Sequence, residues 1–134
     1  MNAVEVFEDI KAVGERIASN DEQRFPEAAS AGDFFRQGDI YITLHERVPE
    51  GAEPCSVALQ LAPGTTKGSR HVLSHNRLSM YTLPGADALS GPVFQCTEEV
   101  TVTHPEHGDV VCPPGIYHVT YQRAFADEVR RVAD

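Results

Sequence analysis

The segment Thr103-His104-Pro105-Glu106-His107-Gly108 places two imidazoles and a carboxylate within four residues. Its proline and glycine mark it as a turn between two strands. A second pair, His71 and His75, lies downstream of the glycine-rich stretch Gly64 to Gly68. Imidazole and carboxylate are the donors that borderline divalent metals prefer. The expected chemistry is therefore a histidine-lined site for zinc, iron, nickel or manganese, with His71, His75, His104 and His107 as candidate ligands. Glu106, beside these ligands, is the candidate general acid or base.

Strand periodicity says which of these rings turn inward. Val100 and Val102 alternate with Glu99, Thr101 and Thr103, so the valines mark the buried face and His104 shares their parity. Pro105 ends the ladder, and the bend can swing His107 back toward His104. Residues 71, 73 and 75 share a face with Leu73, which lets His71 meet His104 across the core. Three imidazoles and an optional carboxylate leave an open coordination position, the pattern of a catalytic metal site. Against this stands the general behaviour of histidine: a ring in a core is more often hydrogen-bonded than metallated. His118 falls on the face opposite Tyr117, Val119 and Tyr121, and His45 on the face opposite Ile40, Ile42 and Leu44. Both read as surface residues, His118 at a surface or pocket rim with a ligand role as the lesser alternative.

The elements that must position these residues are mostly strands. Val4, Phe7, Ile10, Val13 and Ile17 recur at helical steps, which predicts an N-terminal amphipathic helix capped by Asn2 and Glu5. It would pack on the fold or pair with a second copy in a homodimer. Residues 20–33 read as a linker with a helical turn near Glu27. Strands are predicted at 40–44, 56–61, 71–74, 78–83, 93–103, 109–112 and 116–123, and a short helix at 126–133. Short strands separated by Gly/Pro turns argue for a mainly β fold, a small antiparallel barrel or sandwich. The organisation expected is residues 1–33 as helix and linker, and 34–134 as the β-domain.

Composition narrows the function. The chain has 134 residues, 41% hydrophobic and 23% charged, which fits one globular domain. Net charge is −9, and twelve acids against five bases fall in residues 1–53. Without a basic stripe, nucleic acid and anionic membrane surfaces are not expected partners. Met1 to Glu5 lacks a basic n-region and an apolar h-region, so cytoplasmic residence is expected. Cys55, Cys96 and Cys112 show no CxxC spacing and read as small buried thiols. A Gly-x-Ser-x-Gly elbow and a Gly-Lys-Ser/Thr phosphate loop are both missing. Glu98 and Glu99 point to opposite faces of a strand and cannot act together.

Two resemblances add to this. Gly108 to His118, ending Pro113-Pro114-Gly115-Ile116-Tyr117-His118, resembles the second cupin motif, which implies a cupin-like shape. Gln122 stands where that motif has asparagine, and no His-x-His of the first motif occurs. A wider resemblance runs from Arg36 onward, through Arg36-Gln37-Gly38-Asp39, Gly68-Ser69-Arg70-His71, His104 to Gly108, Pro113 to Tyr117 and Gln122-Arg123. These segments are similar to small bacterial proteins of an uncharacterised family, which carries no activity over.

Two functions follow as expectations. One is a metal-binding β-domain acting on a small molecule. The other is a non-enzymatic adaptor, in which the histidines form a structural turn and a protein partner docks on the acidic N-terminal segment or an edge strand.

Overall fold

A computed structural model describes residues 22–122. Ten strands form two sheets: β1 (Gln23–Arg24), β2 (Phe34–Gln37), β3 (Ile40–His45), β4 (Glu53–Cys55), β5 (Val72–Leu73), β6 (Ser79–Thr82), β7 (Ser90–Cys96), β8 (Val100–Thr103), β9 (Val110–Cys112) and β10 (Gly115–Tyr121). One sheet has the order β1-β9-β8-β5 and the other β2-β3-β10-β7-β6-β4. The fold is thus mainly β and sandwich-like. Neither sheet closes into a barrel among the described residues, so the barrel alternative is set aside. The predicted N-terminal and C-terminal helices lie outside the described residues. None of the described helices is long and apolar enough to cross a membrane.

Alternation explains the layering. Ile40 and Ile42 of β3, and Tyr117 and Val119 of β10, are buried on one side of the larger sheet. Val100 and Val102 of β8 and Val110 of β9 are buried on the facing side of the smaller one. All belong to one apolar cluster. A one-residue slip would turn each set outward, so burial fixes the register. Phe25, just after β1, joins the layers: its ring lies 4.7 Å from Phe35 edge-on and 5.2 Å from Tyr117.

Four features depart from the sequence reading. The run 93–103 is two strands in different sheets, β7 and β8, separated at Thr97-Glu98-Glu99. At this corner Glu98 pairs with Arg77 and Glu99 with Arg24, on different elements. The expected strand at 56–61 gives way to β4 at Glu53–Cys55, with Gln60 making only an isolated bridge to Val72. The sheets are not wholly antiparallel, because β1 runs parallel to β9. Of the thiols, Cys96 and Cys112 are buried as expected, whereas Cys55 is exposed.

The β10–β7 register shifts between His118 and Thr120. Gly91 sits against this irregularity. A Cβ there would lie 2.8 Å from the Val119 carbonyl oxygen and 2.8 Å from the Tyr121 hydroxyl. That hydroxyl donates to the Leu61 carbonyl at 2.9 Å, so neither neighbour yields freely. Gly91→Ala is expected to lower stability by about 1–3 kcal/mol, the usual cost of overpacking. A denaturant midpoint equal to wild type would contradict this.

Candidate histidine site

Three chain segments converge at one end of the smaller sheet. β5 pairs with β8 so that Val72 faces Thr103 and Leu73 faces Val102. Extending this antiparallel register by one residue sets His71 opposite His104. Their ring centroids are 4.4 Å apart. The turn from β8 to β9 then brings His107 to 4.6 Å from His104. His71 is fully buried and His104 nearly so, while His107 is half-buried. The structure thus brings together His71, His104 and His107, three of the four candidate ligand histidines.

The larger sheet contributes the support. β2 and β3 form a hairpin with the two-residue turn Gly38-Asp39, and Gly38 has φ +56°, the positive value that primed hairpin turns need. The ring of His107 packs on this glycine. One residue earlier, the buried Gln37 side chain donates through Nε2 to the carbonyls of Val102 at 2.9 Å and Gly108 at 2.7 Å. Its Oε1 lies 2.8 Å from His71 Nδ1. With both amide hydrogens directed at carbonyls, the oxygen can only accept, so His71 carries its proton on Nδ1. His71 Nε2 is left with a lone pair, and this buried atom has no hydrogen-bond partner among the described residues.

His104 is held differently. The Glu106 backbone N–H donates to its Nδ1 at 3.0 Å, so the neutral ring is protonated on Nε2, which donates to the Gly68 carbonyl at 3.1 Å. That carbonyl is fixed by its own loop. Gln60 Nε2 donates to the Ala62 and Gly64 carbonyls, and Thr66 and Ser69 share a hydroxyl bond at 3.0 Å beside the short 3-10 turn Lys67–Ser69.

Burial is the main electrostatic influence. It pushes the His71 imidazolium down to about 3, with the neighbouring His104 and His107 acting in the same direction and the Gly68 carbonyl opposing. Burial also lowers His104, and His107 adds to this. The Gly68 carbonyl and the Glu106 and Asp39 carboxylates pull His104 the other way. At neutral pH both buried rings are neutral, the form in which imidazole serves as a ligand.

The other candidates lie elsewhere or act indirectly. His75 stands at the far end of β5, its Nε2 at 2.8 Å from the Glu99 carbonyl and its Nδ1 accepting from Arg77 N–H at 3.1 Å. One nitrogen thus serves a local turn and the other the corner between β7 and β8. The Glu106 side chain is exposed, and among the described residues no hydrogen bond joins its carboxylate to the three rings. His118 faces outward on the larger sheet, bonded to Ser90 Oγ at 3.0 Å and 5.5 Å from the ring of His45. Among the described residues, no three His, Cys, Asp or Glu side chains are arranged to hold one metal ion. In this arrangement the Nε2 proton of His104 faces the Gly68 carbonyl.

Sequence reasoning gave no role to Gln37, Gly38 and Gly68. One signal was present: Gln37 shares strand parity with Phe35, which predicts an inward amide needing several partners.

The family model described as a domain of unknown function (DUF8820) matches residues 36–122, and the chain belongs to that family. The match includes Gln37, His71, His104 and His107, and begins after β1. No curated protein and no solved structure matches the chain.

Proposed function

We propose that this member of the DUF8820 family is a small β-domain that holds a divalent metal ion on His71, His104 and His107. The observation that carries this reading is His71 Nε2, a buried lone pair beside two further imidazoles. An Nδ1–H bonded to a side-chain oxygen, with Nε2 left free, is how proteins orient metal-binding histidines.

The donor set fits in degrees. His71 is ready as it stands. His107 lies at the edge of the cluster and is half-buried. His104 becomes a donor through Nδ1 by giving up the Glu106 N–H bond, or through Nε2 by giving up both of its backbone bonds, at about 1 kcal/mol for each bond lost. An imidazole-rich set favours zinc, nickel or iron over manganese. A metal held by three imidazoles supplies Lewis acidity at its open position.

The test is elemental analysis of untagged protein purified without chelator, followed by zinc titration. About one equivalent is expected, lost in His71→Ala and in the double variant His104→Ala/His107→Ala. Wild type that neither carries nor binds metal at micromolar concentration would sink the reading.

A second reading is a protein-binding domain with a structural histidine turn. The two backbone bonds of His104 favour it, as does Phe34, 58% exposed on the edge strand β2. Its test is partner capture after deletion of residues 1–21. The deletion stops there because Gln23 and Phe25 are buried in the fold.

A further inference from the structure

The Gln37 amide touches all three parts of the histidine cluster. Its oxygen accepts from His71 Nδ1. Its two N–H bonds go to Val102, two residues before His104, and to Gly108, directly after His107. One buried side chain therefore sets the proton on the first ring and ties both ends of the turn that carries the other two. Glutamine meets this need in a way its neighbours in size do not. Glutamate has the acceptor but, when ionised, no donor for two carbonyls. Leucine leaves the His71 N–H and both carbonyls without this partner. Asparagine is one methylene shorter.

We propose that Gln37 is the positioning residue of this site, which fixes His71 as the Nδ1–H tautomer and so makes Nε2 the ligating atom. The inference rests on the metal reading above for its use, though the tautomer is measurable without metal. Replacing such an outer partner typically weakens metal binding by roughly 10–100-fold. A glutamine that only filled space would leave the tautomer of His71 to chance.

The experiment is long-range 1H–15N correlation NMR of full-length protein labelled at histidine. In the metal-free wild type, His71 is expected to show a protonated Nδ1 and an unprotonated Nε2. One equivalent of zinc should shift Nε2 strongly and leave the Nδ1 proton in place. Gln37→Glu keeps the acceptor and should keep the tautomer, even where its stability falls. Gln37→Leu should lose the tautomer preference and bind zinc roughly 10–100-fold more weakly than wild type. An Nε2–H His71 in wild type overturns the proposal without any variant. So does a folded Gln37→Leu with unchanged tautomer. An Nδ1–H spectrum that zinc leaves unmoved supports the role of Gln37 in setting the tautomer and rejects the metal reading alone.

Discussion

Metal-free protein taken from about pH 7 to about pH 4.5 is expected to lose about 2.5 kcal/mol of unfolding free energy through His71 alone. The ring is fully buried, and burial, with His104 and His107 beside it, holds its folded-state pKa at about 3, below the ordinary 6.5. Between those values the unfolded chain binds a proton that the folded chain refuses. Stability is thus complete above the ordinary value and falls as pH drops toward about 3, by at most about 1.4 kcal/mol per unit. His104 and His118 are shifted the same way and steepen the fall. The groups facing His71 are the Gln37 oxygen, the Gly68 carbonyl and the two rings. Of these, the carbonyl opposes the shift. Denaturant titrations in chelator across this range measure the slope. His71→Asn retains an amide N–H for Gln37 and removes the titrating group, so its curve should be flatter by up to about 1.4 kcal/mol per pH unit below the ordinary histidine value. Parallel curves for the two proteins would show that His71 is protonated in the fold.

That prediction depends on a contact only half legible in the sequence. The parity of Val100, Val102 and His104 states that His104 is buried, and Leu73 states it for His71. Parity gives the face and not the partner strand. The meeting of the two rings needs the β5–β8 pairing, and no local pattern specifies that pairing over two residues of β5. His75 shows the same limit from the other side. It shares the parity of His71 but lies at the opposite end of its short segment, where it bonds the Glu99 carbonyl. β1 illustrates a second limit, since a two-residue strand has no period to detect, and its place beside β9 comes from tertiary contact. The corner between β7 and β8 contains neither glycine nor proline, so no turn residue interrupts the run from Val93 to Thr103. His118, whose parity reads as outward despite the cupin-like Pro113-Pro114-Gly115 before it, is bonded to Ser90 on the outer face of the larger sheet. Gln37 was hidden for a chemical reason. Parity with Phe35 turns its amide inward, but its three partners are distant in sequence, so no local pattern names them.

Gly38→Ala is expected to be the most damaging small substitution at the site. Its backbone has φ +56°, where an L-residue costs about 1–2 kcal/mol. A Cβ there would also lie 2.6 Å from His107 Cδ2 and 2.9 Å from Nε2. The ring must move, and with it the nitrogen that would serve as a ligand. Gly51 separates the two effects, because it has φ +85° and nothing within 4 Å of an added Cβ. Gly51→Ala should therefore show the backbone cost alone, about 1–2 kcal/mol. Gly38→Ala should exceed it by about 1–3 kcal/mol, the range for forced repacking. The two variants should also differ in zinc binding, which Gly51→Ala leaves at the wild-type value and Gly38→Ala weakens. Equal stability losses would mean that His107 swings out at no cost, so that its packing on Gly38 is incidental. Equal zinc affinities with unequal stabilities would remove His107 from the ligand set while leaving its place in the fold intact.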